Sequence, residues 1–215
     1  MNTADEMTAA AEKQWLEGWT AGPTEPEGLG LPAGSVAPDF ELADQTGVVR
    51  SLSEYWSAQP VLLMFWRHFG CGCGLDRAQR LGDEYEDYRA AGLQPVIVAQ
   101  GEPVRAAAYA RELGLSCPVL CDPDCMAYRG YGVGQWRVER VLYDAPRKYW
   151  AHPRDIGEAF QDERRSAGRP PVDDPWRATA EFVIGSGGVV QLCYLYQYCE
   201  DFPDARVLTT AAGLT

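Results

Sequence analysis

The chain has 215 residues, 46% of them hydrophobic and 23% charged, which suits one long domain or a domain with extensions around a proper core. Its 19 Lys and Arg face 31 Asp and Glu, a formal net charge of -12. That balance argues against nucleic-acid phosphate and anionic membrane as partners, because both want a basic face.

The opening, MNTADEMTAAAEKQW, lacks a basic start, an apolar core and a small-residue cleavage site. The longest apolar run, 61–66, is far too short to span a bilayer. A cytoplasmic protein without a secretory leader is therefore expected. In that compartment its seven cysteines stay reduced, and clustered ones point to metal binding or redox work rather than a disulfide framework.

Residues 4–17 have helical composition, and 20–38 form a Pro/Gly-rich linker. An N-terminal helix and linker over 1–35 thus precede a domain over 36–215. Short strands at 39–43 and 48–50 flank an Asp-Gln-Thr-Gly turn. A serine-capped helical turn follows at 51–56. The continuous apolar run 61–67 reads as a strand buried on both faces. Leu75, Ala78, Leu81, Tyr85 and Tyr88 recur at steps of three and four, which predicts an amphipathic helix over 72–91, ended by Gly92. A strand at 93–99, a helix at 104–113, a strand at 117–121 and a short helix at 125–131 come next.

This β-α-β-α-β order calls for parallel strands with helices on both faces. Residues 133–176 lack clean periodicity and read as an irregular insertion rich in aromatics: Trp136, Tyr143, Tyr149, Trp150 and Trp176. Three readings stay open for the insertion: a cover over the functional site, an interface such as that of a homodimer, or local packing of its aromatics. Alternating segments 181–184 and 189–196 around Gly-Ser-Gly-Gly make a hairpin, and a last helix covers 204–212. The fold class is α/β, with a central mixed sheet flanked by helices.

The stretch HFGCGCG falls at the join between the buried strand and its helix, which puts Cys71 at the strand's C-terminal end. Ligands bind at that end of open α/β sheets. The helix N-terminus stabilises a thiolate over a thiol, and the thiolate is the nucleophile. Arg67 and His68 add positive charge if they point the same way. Glycines at 70, 72 and 74 strip bulk from around the sulfur. Cys199, in a loop after the last strand, is a distant candidate for a second thiol. Cys117, Cys121 and Cys125 are spaced by four, but Pro118 and Pro123 forbid one helix through them. Cys193 reads as packing, and the tyrosines at 194, 196 and 198, alternating on one strand face, as packing or a partner surface.

The segments VAPDFELADQTG, VLLMFWRHFGCGCG, CPVLCDPDCMAYRGYGVG and AEFVIGSGGVVQL, in this order and spacing, resemble the peroxiredoxin-like (AhpC/TSA) branch of the thioredoxin fold. The similarity covers 36–132 and 178–212. It implies a thioredoxin-like fold with Cys71 as the reactive residue. It also implies an arginine near the sulfur, for which Arg177 is the candidate. The chain departs from the family in two ways. His68 and Met64 stand where the Thr/Ser and Pro of the usual peroxiredoxin site would be, and Gly74 fills the second slot of a Cys-x-x-Cys.

The expected chemistry is thiol-dependent reduction of a peroxide by Cys71. Cys73 is the first candidate for the resolving thiol and Cys199 the second. A thioredoxin-like protein or a small thiol would act as reductant, and no organic cofactor is needed. Thiol–disulfide exchange on a protein or metabolite is the alternative. Zinc or copper held by His68, Cys71 and Cys73, with Cys121 or Cys199 completing the set, is a third reading.

Overall fold

The computed structural model describes residues 3–144, 147, 150 and 152–213; Tyr149, one of the insertion aromatics, lies outside the described residues. Its strands are β1 Glu41–Asp44, β2 Val49–Ser51, β3 Val61–Phe65, β4 Gln94–Ala99, β5 Val119–Cys121, β6 Ala180–Ile184 and β7 Val190–Leu195. They form one sheet in the order β2-β1-β5-β4-β3-β6-β7. β3, β4 and β5 run parallel, while β6 is antiparallel to β3 and β7 to β6. The helices are α1 Thr3–Ala21, α2 Leu52–Trp56, α3 Cys73–Ala90, α4 Pro103–Glu112, α5 Met126–Gly130, α6 Val138–Val141, α7 Pro153–Ser166 and α8 Ala205–Ala212.

β3 is buried at all five positions because both faces of the sheet are covered. Val61, Leu63 and Phe65 point to one face, where they meet Tyr128, Tyr131, Trp136 and Phe182. Leu62 and Met64 point to the other and pack among residues of α3, α4 and α8. β6 alternates in the same way, which sends Glu181 to the α3 face with no exposure. There it meets Arg77 of α3, which is 3% exposed. Arg77 donates to both Glu181 oxygens, from Nε at 2.7 Å and from Nη2 at 3.2 Å. Tyr196 donates to the same carboxylate at 2.5 Å, and Arg77 reaches Glu84 at 3.2 Å. A buried, bidentate pair therefore pins the first turns of α3 to the sheet.

The insertion is more ordered than its sequence suggests, since it holds the 14-residue α7. Pro153 at the start and a narrow stripe of Ile156 and Phe160 in an otherwise charged segment hide the helical period. That stripe packs on α1 in a separate cluster with Trp15, Leu16, Trp19 and Trp176. Trp19 stacks on Trp15 and on Trp176, with centroids 5.4 and 4.7 Å apart, and meets Phe160 edge-on. Two of the three indole N–H groups find carbonyl partners, Trp19 donating to Pro153 and Trp176 to Gly18, while that of Trp15 is buried without one. Gly157 is required at this crossing, because a Cβ there would lie 2.6 Å from Trp19 Cδ1 and 2.7 Å from Leu16 Cδ1. The N-terminal helix and the insertion thus form one layer beside the sheet.

Candidate active site

The loop 66–72 leaves β3 under tight control. Trp66 N–H still pairs with Val98 O at 2.9 Å, and the Tyr128 hydroxyl donates to the Trp66 carbonyl. The Cys71 N–H then turns back onto His68 O at 3.0 Å. α3 starts at Cys73 without a side-chain cap hydrogen bond, with Asp76 in its first turn, so the positive end of its dipole keeps backbone N–H groups free beside the loop. Cys71, half-buried, sits just before that end.

The sulfurs of Cys71, Cys73 and Cys199 all lie within 4.8 Å of one another. Arg67, 5% exposed, donates from Nη1 to Cys199 Sγ at 3.4 Å and from Nη2 to Pro175 O at 2.5 Å. Its guanidinium also lies 5.2 Å from the Trp136 ring centroid. Hydrogen bonds from the Cys199 thiol, then from Cys73, hold Cys71 well below the ordinary thiol range; burial opposes them and the Arg67 charge assists. The same sharing works in reverse on the partners. Cys73 is pushed up by its bonds to Cys199 and Cys71 and by burial, and Cys199 is pushed up to about 12, chiefly by its bond to Cys71. The cluster therefore favours ionisation at Cys71 over Cys73 and Cys199, beside a buried guanidinium. Burial opposes the Arg67 charge, yet the sulfurs, Cys199 foremost, raise its proton affinity.

His68 is buried, and that burial brings it down to about 4, so it is neutral at pH 7. Its Nδ1 has no hydrogen-bond partner. Trp15 meets the ring edge-on at 6.2 Å. The sulfurs open into a cleft of about 470 Å³ walled by Trp15, Trp19, Phe160 and Arg164. Arg164 comes so close to the loop that a Cβ on Gly72 would sit 3.2 Å from its Nη2. In the segment that closes the insertion, Pro171 faces this cleft, while Pro170 and Val172 line a larger cavity of about 850 Å³ that reaches none of the three sulfurs.

The structure thus brings together Cys71, Cys73, Cys199, Arg67 and His68 from the residues singled out in the sequence. Arg177 is elsewhere: it pairs with Glu25 at 2.7 Å and Asp174 at 3.1 Å and lies over the Tyr128 ring. Cys117 and Cys121 are in the core under α4, and Cys193 lies half-buried on β7. Among the described residues, the three-sulfur group is the one set with metal-ligand spacing; no nitrogen of His68 lies within that distance of all three sulfurs. The cleft walls Trp15, Trp19, Phe160 and Arg164 were not predicted. The first two, spaced four apart on α1, carry a helical signal, whereas Arg164 carries none.

A thioredoxin-type sheet with a reactive cysteine between its central strand and the next helix defines the thiol-dependent oxidoreductases. The AhpC/TSA family profile matches residues 33–154, more than half of the chain, and the chain belongs to that family. It is 30% identical over 109 residues to the thiol-disulfide oxidoreductase ResA of Geobacillus thermodenitrificans, covering 50% of this chain and 62% of that protein. It is 25% identical over 103 residues to peroxiredoxin Bcp of Escherichia coli, covering 48% of this chain and 65% of that one. The chain thus spans less than two thirds of either relative. Among solved structures, peroxidoxin BcpB of Mycobacterium tuberculosis superposes with a TM-score of 0.61 at 18% identity, covering 85% of this chain and 96% of that one. A thiol peroxidase of Chromobacterium violaceum gives 0.54 at 17% identity, covering 86% and 87%. These likenesses show the thioredoxin-like fold. The relatives are thiol peroxidases and thiol-disulfide oxidoreductases, and no described helix is long and apolar enough to cross a membrane.

Proposed function

We propose that the protein is a thiol peroxidase in which Cys71 is the nucleophile and Cys199 the resolving thiol. The observation that carries this reading is the convergence of three sulfurs and the Arg67 guanidinium at the mouth of β3. The Cys71 thiolate attacks one peroxide oxygen, the O–O bond breaks, and the departing oxygen takes a proton and leaves as water or an alcohol. Cys71 is then a sulfenic acid. A second thiol attacks that sulfur, water leaves, and a disulfide remains. Cys199 suits this step because it sits on a loop, whereas Cys73 is in the first turn of α3 and would have to unwind it. One thioredoxin-like dithiol, or two equivalents of a small monothiol, restore the dithiol and leave as a disulfide. Seven cysteines support a reducing compartment, the cytoplasm.

The second reading is thiol–disulfide exchange. It is favoured by the match to ResA and by His68 standing where peroxiredoxins carry a hydroxyl. There the Cys71 thiolate attacks a substrate sulfur, and the mixed disulfide is released by Cys199.

The test is near-equimolar hydrogen peroxide followed by intact mass and peptide mapping. Wild type should lose two hydrogens into a Cys71–Cys199 disulfide within the mixing time, Cys199→Ser should stop at a Cys71 oxyacid, and Cys71→Ser should not react. Peroxide consumption no faster than that of free cysteine would move the assignment to exchange.

A further inference from the structure

Redox chemistry needs two thiols, and the cleft holds three. We propose that the reduced Cys71–Cys73–Cys199 cluster is a binding site for a single copper(I) ion. This inference does not depend on the peroxidase reading.

Geometry and ligand chemistry carry it. A trigonal centre with metal–sulfur bonds of about 2.3 Å places its sulfurs roughly 4.0 Å apart. The three Sγ atoms already lie within 4.8 Å of one another, so closing the triangle needs movements of less than about 1 Å. Two of them sit on movable backbone, Cys71 on the loop before α3 and Cys199 on the loop after β7, while helical Cys73 fixes the third corner. Thiolates select soft cations, copper(I) and zinc above all. Structural zinc almost always takes four protein ligands, and a zinc held by three leaves its fourth position to water or substrate, which an all-thiolate trigonal site does not need to supply for copper(I). No fourth histidine, cysteine or carboxylate joins the group among the described residues. Three sulfurs with nothing beyond them fit copper(I), which is content with three.

Charge supports the same assignment. Three thiolates and one copper(I) leave two negative charges in a half-buried site. The Arg67 guanidinium at 3.4 Å and the uncapped start of α3 face that charge. The cleft gives the ion a way in. As copper binds, each S–H that becomes a ligand gives its proton to solvent, and no electron moves. An occupied site has no free Cys71 sulfur, so copper and electrophiles compete for it.

Fully reduced full-length protein, kept anaerobic with a non-thiol phosphine, would be titrated with copper(I) against bicinchoninate. One copper(I) per chain should be withheld from the chelator. Cys71→Ser, Cys73→Ser and Cys199→Ser should each weaken binding by more than the roughly 10–100-fold that loss of a mere outer-shell partner costs. Cys193→Ser, which alters a cysteine outside the cluster, should bind as wild type. X-ray absorption should count three sulfurs around copper, and bound copper should block alkylation of Cys71. Alanine versions and circular dichroism separate loss of ligand from loss of fold. Binding no stronger than that of the Cys71/Cys73/Cys199 triple variant, a two-sulfur centre, or preferential capture of zinc(II) would each overturn the proposal. Peroxide oxidation of the copper-free protein is measured separately, so failure here leaves the peroxidase reading standing, and the reverse.

Discussion

Replacing Glu181 with Gln removes a negative charge from a site with no exposure, while Arg77 keeps its positive charge at 3% exposure. Breaking a buried pair on one side costs about 3–5 kcal/mol. Arg77 retains Glu84 at 3.2 Å, a partly exposed partner, which puts the cost near the lower end, about 3 kcal/mol. For a chain of this size, that corresponds to a fall in Tm of about 6–12 °C. The assay is thermal unfolding followed by circular dichroism, with urea titration as a second measure. The control removes the pair and the hydroxyl that donates to it: Arg77→Met, Glu181→Leu and Tyr196→Phe together, since Tyr196 would otherwise lose its acceptor, while Glu84 keeps the Tyr88 hydroxyl at 2.7 Å and Arg80 at 3.2 Å. Apolar replacement of a complete buried pair is neutral or stabilising by about 1–4 kcal/mol. The triple variant should therefore be at least as stable as wild type. Because the pair pins α3 one turn beyond Cys73, Glu181→Gln should also slow Cys71 alkylation. A single variant as stable as wild type, or a triple variant worse than the single, would refute the argument that a stranded charge is what costs stability.

Three further outcomes are expected. Iodoacetamide labelling of Cys71, read by peptide mapping, should persist to lower pH than labelling of a free thiol; Cys199→Ala should move the profile upward more than Arg67→Gln, in the order of their effects on the thiolate. In the unfolded chain His68 binds its proton near pH 6.5, in the cleft only near 4, so between these values the unfolded state holds the extra proton and stability falls as pH drops. Comparing urea unfolding at pH 7 and 4.5, His68→Gln should lose about 2–3 kcal/mol less than wild type, and equal losses would contradict a buried neutral imidazole. Gly157→Ala should destabilise the α1–α7 contact by about 1–3 kcal/mol despite its better helix propensity, and limited proteolysis should then clip the N-terminal helix first.

The sheet was legible because its strands carry their environment in their composition. Val61 to Phe65 has no polar residue, as a strand covered on both faces must. The hairpin of β6 and β7 announces itself through Gly-Ser-Gly-Gly. The same logic fails for α7, where two apolar residues are enough to dock a helix whose other faces are wet. Within the site, Cys71 was readable from local position, since the end of a buried strand and the start of a helix are neighbours in sequence. The order of its partners was not, because Arg67 meets Cys199 across 132 residues and nothing in the sequence measures that distance. Arg177 illustrates the reverse case: an arginine before β6 is present, yet Glu25 and Asp174 draw it away from the sulfurs.

The placement of Cys199 after β7 has a consequence for the order in which the site assembles. The strongest influence that acidifies Cys71 is supplied by a residue translated long after it. A growing polypeptide that has emerged only as far as β6 carries Cys71, Cys73 and Arg67 but not the thiol that acts on Cys71 most strongly. The influence of Cys199 on the Cys71 thiol therefore arises only once β7 and the loop that follows it have folded onto the sheet.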